Sequence, residues 1–231
     1  MSETKTSTLR NRTYDELVRM IVSGDLRAGS QIDEKMLIET LGVSRTPFRE
    51  AIAILASEGL IDVRPYRGFS VRLFSRKEVN DLYQLRRTLE SFAVRLAVEN
   101  ISNADIARLE KILDNSVASL ERGDLASYGV HDAEFHAMIA QLSDSSPLIT
   151  VLERLSLQIQ MCRTVANREP GFAQAAALER DAILKALRAR DAEHAAMLLD
   201  AHIAHVQSAV LASLADTDAA NDAAQLLHRK S

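Results

Sequence analysis

The sequence has little of what marks secreted or membrane proteins. It contains one cysteine, Cys162, which excludes an internal disulfide and fits a reducing compartment. Its first residues, MSETKTSTLRNR, lack the apolar core of a signal peptide, so we expect the protein to stay in the cytoplasm. No apolar run approaches the ~20 residues that a transmembrane helix needs, so we expect no membrane association.

The sequence also lacks an excess of basic residues. Its net charge is −4, and residues 1–74 hold 11 basic and 10 acidic residues. Residues 75–231 hold 17 basic and 22 acidic residues, so we do not expect this part to bind nucleic acid. Cations in residues 1–74 can attract phosphate only if they are concentrated on one face. Candidates for that face are Arg45, Arg49, Arg64 and Arg67.

Two helical patterns meet at a glycine in the first third of the chain. The segment 32–41 (IDEKMLIETL) places apolar residues on one helical face, with Asp33 available as its N-cap. Gly42 can take the left-handed conformation that ends a helix. Ser44 can then cap a second helix, whose first turn tolerates Pro47. This spacing predicts a helix-turn-helix.

The second helix carries polar residues in its first turn and apolar residues further along. Arg45, Thr46 and Arg49 lie in the first turn, whereas Ala51 and Leu55 are placed for the core. A recognition helix puts the residues of its first turn against base edges in the major groove of DNA. The alternative is an ordinary two-helix turn with a solvated basic end.

A β-hairpin is predicted after the second helix. Segments 60–63 and 69–73 alternate between apolar and polar residues, and Pro-Tyr-Arg-Gly between them is a turn. Gly68 near the tip lets the backbone approach DNA while Arg67 reaches a phosphate or the minor groove. Together with a first helix over 9–23, these elements predict a winged helix-turn-helix domain over residues 9–74.

The segment 25–71 resembles the DNA-binding domain of the GntR family of bacterial transcription regulators. The family pattern is a GVSR-x-P-x-RE-A core, then EGL, then an arginine-glycine wing, and every piece is present here in order. The resemblance implies that operator DNA is contacted by Lys35, Ser44, Arg45, Thr46, Arg49, Arg67 and Gly68.

Residues 75–214 are predicted to form a second, all-helical domain. Ser75 and Glu78 make a capping box that opens a long helix, and five more amphipathic helices follow with short connections. Antiparallel helices joined in this way form a bundle whose sites are built inside, from facing helices. The fold class is therefore mainly α, with the winged helix-turn-helix first and the bundle second. We expect residues 215–231 to be a flexible tail.

This helical region resembles the all-helical effector domain, called the FCD domain, of the FadR-type branch of the GntR family. The strings DLYQLRRTLESFAVRLA, HDAEFHAMIA and RARDAEHAAMLLDAHI carry the resemblance. It implies a ligand-responsive transcriptional repressor without enzymatic activity, whose effector is a small organic acid or a related metabolite. A homodimer would place two winged helices on a pseudo-palindromic operator, because two-fold protein symmetry matches two-fold DNA symmetry.

Three residues of the bundle are candidates for a metal site. Asp132 and His136 are four residues apart on one helix and share a face, and His202 lies on the last helix. A carboxylate with imidazoles suits a divalent metal such as Zn, Ni or Mn. Metal-binding members of the family add a histidine from the penultimate helix, where this chain has Arg180. Arginine has no lone pair for a metal, and its charge repels a cation.

Three arrangements are compatible with this replacement. In the first, no metal binds and Arg180 grips an anionic ligand directly. In the second, Asp132, His136 and His202 hold a metal weakly, with water completing its coordination. In the third, His205 supplies the missing nitrogen.

Two further arginines are candidates for binding the effector. Arg86 either points into the pocket and binds a carboxylate or pairs with Glu90 as an i, i+4 surface contact. Arg163, in a mostly uncharged stretch of helix, is a weaker candidate for lining the pocket.

Two other classes of protein are alternatives to a DNA-binding regulator. A metal-dependent hydrolase could use a metal-bound water at the Asp132, His136 and His202 cluster. The sequence shows no second carboxylate placed beside them as a general base, and a hydrolase leaves the winged helix without a purpose. A protein-interaction module could use the winged helix to bind protein, but such an interface does not need the cations of its first turn and wing.

Overall fold

A computed structural model of the protein describes residues 2–167, 169 and 171–228, with side chains for 8–164, 166–167, 169 and 171–214. The chain divides into two compact units, one ending at Leu73 and the other beginning at Phe74. Pro170, at a predicted helix break, and residues 229–231 of the predicted tail lie outside the described residues.

The N-terminal unit combines three helices with a small antiparallel sheet of order β1-β3-β2. Helix α1 packs on α3, and their buried side chains include Leu17, Ile21, Phe48 and Leu55. Strand β1 was not predicted, because two residues are too few to show an alternating pattern. The elements are α1 Ser2–Ser23, β1 Gln31–Ile32, α2 Glu34–Leu41, α3 Arg45–Ser57, β2 Ile61–Arg64 and β3 Gly68–Val71.

The turn between α2 and α3 depends on two local features of the sequence. Asp33 caps α2 by accepting a hydrogen bond from the Met36 amide at 2.9 Å, and Gly42 ends the helix at a φ of 62°. Ser44 occupies the N-cap position of α3, but its side chain makes no capping hydrogen bond, contrary to expectation. The direction of α3 is therefore set by the left-handed Gly42 and by the buried Pro47, which follows at the start of α3.

The C-terminal unit is an all-helical bundle. Helix α4 packs against α9, α6 and α7, while α8 packs against α5 and α9. The capping box of Ser75 and Glu78 opens α4, as the sequence predicts, and Ser102 and Asp105 open α5 in the same way. The helices are α4 Arg76–Asn100, α5 Asn103–Glu121, α6 Leu125–Leu142, α7 Ser146–Ala166, α8 Phe172–Arg188 and α9 Ala192–His228.

Helix α9 differs from expectation in two respects. It continues to His228 through the segment for which the sequence predicts a flexible tail. Its segment Ala192–Leu214 is also long and apolar enough to cross a membrane by length and composition alone, which the sequence did not lead us to expect. In the structure this segment packs against α4, α7 and α8 and buries His202 and Gln207, so we assign it as a core helix.

We expect Gly42→Ala to destabilise the N-terminal unit by about 1–2 kcal/mol, because an L-residue at a φ of 62° is strained. A Cβ at this position meets nothing within 4 Å, so the cost is backbone strain alone. Hydrogen–deuterium exchange of α2 and α3 amides measures the loss. Thr40→Ala, an exposed change in the same helix, is the control and should leave protection unchanged. Equal protection in Gly42→Ala and the control would contradict the strain argument.

Candidate functional site

The start of α3 presents two arginines that share one carboxylate. Arg49 donates to Glu34 of α2 through Nε at 2.9 Å and Nη2 at 3.1 Å. Arg45 Nε lies 3.2 Å from the same carboxylate, and the hydrogen bond from Arg49 lowers the pKa of Glu34. The arginine side chains remain 74% and 57% exposed. Two cations are thus held side by side at the surface, with one negative charge between them.

The remaining predicted DNA contacts also lie on the surface of the N-terminal unit. Lys35, Ser44, Thr46 and Arg67 are exposed. Gly68 begins β3 opposite Arg64 with a φ of 79°, which requires glycine.

Tyr66 at the tip of the hairpin was not singled out from the sequence. It also has a positive φ, of 62°, and its side chain is fully exposed. An exposed aromatic ring therefore stands beside Arg67 at the most accessible point of the wing.

The predicted metal candidates come together inside the helical bundle. Ligand atoms of Asp132, His136 and His202 all lie within 4.8 Å of one another, and all three side chains are buried. Asp132 Oδ1 is 3.9 Å from His136 Nε2, and the two imidazole rings are nearly parallel with centroids 5.4 Å apart. His205 is not part of this group, because it is half-exposed and its Nδ1 lies 2.7 Å from Glu179.

Both buried histidines are held by a carboxylate on their outer nitrogen. His136 Nδ1 lies 2.5 Å from Glu90 of α4, and His202 Nδ1 lies 2.7 Å from Glu179 of α8. Burial lowers the pKa of both imidazoles, that of His202 to about 4, which favours their neutral form. A neutral imidazole that donates from Nδ1 keeps its lone pair on Nε2. Neither Nε2 has a hydrogen-bond partner among the described residues.

Two buried guanidinium groups neutralise Asp132. Arg163 of α7 pairs with Oδ2 and also donates to the Tyr128 hydroxyl at 3.1 Å. Arg180 Nη1 lies 2.9 Å from Oδ1, within ion-pair distance although the angle is not that of a hydrogen bond. Burial alone raises the pKa of Asp132, but these two charges hold it well below its usual range.

Arg180 is fixed in place by several other contacts. Its Nη2 donates to Ser116 Oγ of α5 at 2.9 Å, and its guanidinium lies 5.2 Å from the Tyr128 ring centroid and 5.9 Å from that of Phe135. The side chain is completely buried. It therefore cannot turn towards solvent without opening the bundle.

A cavity of about 140 Å³ lies between α4, α6 and α7. Arg86 and Arg163 line it, as the sequence predicts for effector-binding residues, but Arg180 is not among its described lining residues. Arg86 Nε donates to Glu90 at 2.6 Å, so the i, i+4 pair forms but is buried at the cavity and is not the surface contact that was predicted. Arg86 Nη1 is also buried and has no hydrogen-bond partner among the described residues. Much of the remaining wall is apolar, from Ala133, Ala137, Ala140, Ile149, Leu152 and Ile159.

The buried charges around the cavity do not cancel. Within the described part of the chain, the fully charged buried side chains are Arg86, Arg163 and Arg180 against Glu90 and Asp132. With both histidines neutral, the group carries one net positive charge. An unbalanced buried charge is costly, so the fully buried members of this group favour an anion. Glu179, which holds His202, is only partly buried and is not counted among them.

The donor atoms of the Asp132, His136 and His202 group suit a divalent metal, but its charge does not. One carboxylate oxygen and two imidazole nitrogens are common transition-metal ligands. A metal bound to Asp132 Oδ1 at ~2.1 Å would lie no more than about 5 Å from Arg180 Nη1. At an effective dielectric constant of ~20, charges of +2 and +1 at that distance repel by roughly 7 kcal/mol. Because Asp132 is already paired with two cations, the charges of the residues as arranged do not fit a metal dication.

Three glutamates hold side chains of the predicted sites, and the sequence did not predict these contacts in full. Glu34 and Glu179 hold predicted site residues, and Glu90, considered only as a partner of Arg86, also holds His136. Two carboxylates therefore lie beside the histidines, but each is held on an outer ring nitrogen and neither is placed as a general base at the inner nitrogens. Glu90 follows Arg86 by one turn and Glu179 directly precedes Arg180, and these spacings were the available signals.

Comparison with known proteins gives two family matches that together cover most of the chain. The description "Bacterial regulatory proteins, gntR family" matches residues 9–71, and "FCD domain" matches residues 81–205. The transcriptional regulator YdhC of Bacillus subtilis (strain 168) is 28% identical over 193 residues, covering 83% of this chain and 86% of that protein. The transcriptional repressor RspR of Escherichia coli (strain K12) is 26% identical, covering 89% and 90%.

Solved structures show the same similarity. Escherichia coli McbR superposes with a TM-score of 0.74 at 27% sequence identity, covering 84% of this chain and 93% of that chain. The order of a winged helix-turn-helix and an all-helical domain is therefore shared with known regulators.

We expect Asp132→Asn to lower the free energy of unfolding of the bundle by about 3–5 kcal/mol, because it leaves two buried guanidinium groups without their counter-charge. Asp200→Asn is the matched control, since Asp200 pairs with Arg87 at 2.6 Å but is 40% exposed. It should cost no more than about 1 kcal/mol. Urea unfolding followed by circular dichroism measures both, and equal losses would contradict the assigned role of burial.

Proposed function

This chain belongs to the GntR family of bacterial regulatory proteins, and on that premise we propose that it represses transcription until a small organic acid binds its FCD domain. It is a DNA-binding transcription regulator and not an enzyme. Glu90 and Glu179 hold the outer nitrogens of His136 and His202 instead of standing ready as a general base, which fits that assignment.

We propose that operator DNA is read by the start of α3 and by the wing. Arg45, Thr46 and Arg49 are exposed on the first turn of α3, where a recognition helix reaches base edges in the major groove. Arg67 and Gly68 on the wing would contact the DNA backbone or the minor groove. The full set of proposed contacts is Lys35, Ser44, Arg45, Thr46, Arg49, Arg67 and Gly68.

We further propose that the protein acts in the cytoplasm as a homodimer on a pseudo-palindromic operator. An isologous dimer presents two copies of the recognition helix related by a two-fold axis, which matches two half-sites of DNA. The support is the winged helix-turn-helix of the family and the similarity to named repressors.

The proposed effector is a small carboxylate bound in the cavity. The observation that carries this is Arg86, whose Nη1 is buried without a partner among the described residues, in a group with one net positive charge. A carboxylate supplies the acceptor and the charge together. A cavity of about 140 Å³ is similar to one that accepts benzene, so the ligand should have roughly six to eight non-hydrogen atoms. Its apolar part would pack on the alanine and isoleucine wall.

Binding can regulate transcription only if the effector prefers one conformation of the protein. Arg86 and Glu90 lie on α4, the helix that the chain enters directly after the winged helix. A carboxylate that favours an α4 position incompatible with operator binding would lower operator affinity. A coupling free energy of about 1–3 kcal/mol corresponds to a change of roughly 5–150-fold.

We expect Arg49→Ala to abolish specific operator binding while leaving the bundle folded, because it removes an exposed cation from the recognition turn. Gel shift on genomic fragments selected by the wild-type protein, with scrambled DNA as competitor, measures the loss. Arg19→Ala removes the same charge from a pair with Glu16 on α1 and is the control. Retained operator affinity in Arg49→Ala would contradict the proposal that the start of α3 reads operator DNA.

We expect Arg86→Lys to weaken carboxylate binding by about 10-fold or more, because lysine keeps the charge but loses the guanidinium fork. Thermal shift and calorimetric titration with a panel of short-chain monocarboxylates measure binding, and operator affinity without ligand should not change. Arg95→Lys, on the exposed pair with Glu193, is the control. Equal carboxylate affinity in Arg86→Lys and Arg95→Lys would show that Arg86 does not bind the ligand.

A further inference from the structure

We propose that Arg180 supplies, as part of the chain, the positive charge that a divalent metal would bring to Asp132, His136 and His202. In this arrangement the centre holds a water molecule in place of a metal, and ligand recognition is independent of metal. Arg180 is then a positioning residue, acting through Asp132, and not a direct contact of the effector. This centre lies beside the proposed effector cavity, and it can be tested without effector or DNA.

Arg180 occupies the side of Asp132 that a metal would need. Its Nη1 is 2.9 Å from Asp132 Oδ1, the oxygen that also faces His136 Nε2 at 3.9 Å. The other oxygen of Asp132 is paired with Arg163. Both oxygens therefore already have a cation beside them, and a metal would have to share Oδ1 with a guanidinium.

Arg180 is also held rigidly. Its guanidinium lies against the rings of Tyr128 and Phe135 and donates to Ser116, and the side chain has no exposure. A surface arginine could swing away to admit a metal, but this one is packed inside the bundle. The charge is a permanent part of the centre.

The hydrogen-bonding groups of the centre match water better than a metal. His136 Nε2, His202 Nε2 and Asp132 Oδ1 each offer a lone pair, whereas Arg180 Nη1 offers a proton, and all four atoms are buried without a hydrogen-bond partner among the described residues. The Arg180 charge already lies 2.9 Å from Asp132 Oδ1, which leaves the two imidazole lone pairs. A metal can accept the two lone pairs but not the proton. A water molecule can accept from Arg180 and donate to both histidines, and buried waters commonly make about three such bonds.

The charge of the centre favours water for the same reason. Three buried guanidinium groups stand against two buried carboxylates. A dication would add to this excess of positive charge, whereas a water molecule leaves it unchanged. The remaining excess is then available to an anion in the neighbouring cavity, where Arg86 Nη1 has no partner among the described residues.

The test compares variants at position 180 that separate two properties of the side chain, its positive charge and its ability to bind a metal. Wild type, Arg180→Lys, Arg180→Met and Arg180→His are each incubated with excess Co²⁺ or Zn²⁺ and freed of unbound metal. Elemental analysis gives the stoichiometry, and the visible spectrum of bound Co²⁺ reports nitrogen and oxygen coordination. Circular dichroism confirms that each variant is folded.

We expect wild type and Arg180→Lys to bind no metal at this centre. Arg180→Met should gain one metal per chain through the three existing ligands, and Arg180→His should bind it more tightly, because it adds a nitrogen ligand. Adding His202→Gln to Arg180→Met should abolish the gain. A folded Arg180→Met that binds no metal would overturn the proposal, since the arginine charge would then not be what keeps metal out.

If Arg180→Met does not fold, the proposal is tested by comparing the metal content of wild type with that of His202→Gln. Metal bound to wild type that is lost in His202→Gln contradicts the proposal. Equal metal content in wild type and His202→Gln supports it, because any metal present is then bound elsewhere. Failure of the carboxylate panel would refute the proposed effector and leave this result unaffected, so the two proposals fail separately.

Discussion

The buried carboxylate of Asp132 is the interaction on which the bundle depends. An isolated charge in a protein interior costs several kcal/mol, so Asp132 can be buried only with cations beside it. Those cations come from two other helices, Arg163 on α7 and Arg180 on α8. One side chain of α6 thereby links α7 and α8 to the same point in the core. Arg86 is the third buried guanidinium beside this group. Its carboxylate partner is Glu90, one turn further along the same helix.

The properties of the candidate site follow from this arrangement. Because Glu90 and Glu179 take the outer nitrogens of His136 and His202, both rings direct a lone pair inward, towards Asp132. Such a geometry prepares imidazoles for a metal. Arg180 opposes metal binding, because it adds a positive charge beside Asp132, where the metal would lie. The centre keeps the ligand geometry of a metal site while its charge balance favours an anion in the adjacent cavity.

Local sequence predicted most of the helices and strands but not the pairing of charges. Asp33, Gly42 and the capping box of Ser75 act within a few residues of themselves, and the structure shows each in its expected place. Glu179 sits 23 residues before His202, and nothing in that spacing predicts their contact. Arg180 could be recognised as a replacement from sequence, but whether it faced the cavity or Asp132 depended on how α8 packs. The partner of a buried charge depends on tertiary contacts, because the energy of such a pair is set by burial and not by helix propensity.

Arginine–carboxylate pairs occur at both proposed sites, and burial makes them behave differently. Glu34 holds Arg45 and Arg49 at the surface, where such pairs are worth about 0–1 kcal/mol. In the proposed operator complex, a DNA phosphate or guanine would displace Glu34 at little cost, and without DNA the carboxylate holds both guanidinium groups close together. The pairs of Asp132 have no solvent to exchange with, so they persist whatever binds nearby. An exposed carboxylate thus keeps arginines ready for a ligand, whereas a buried one commits them to the fold.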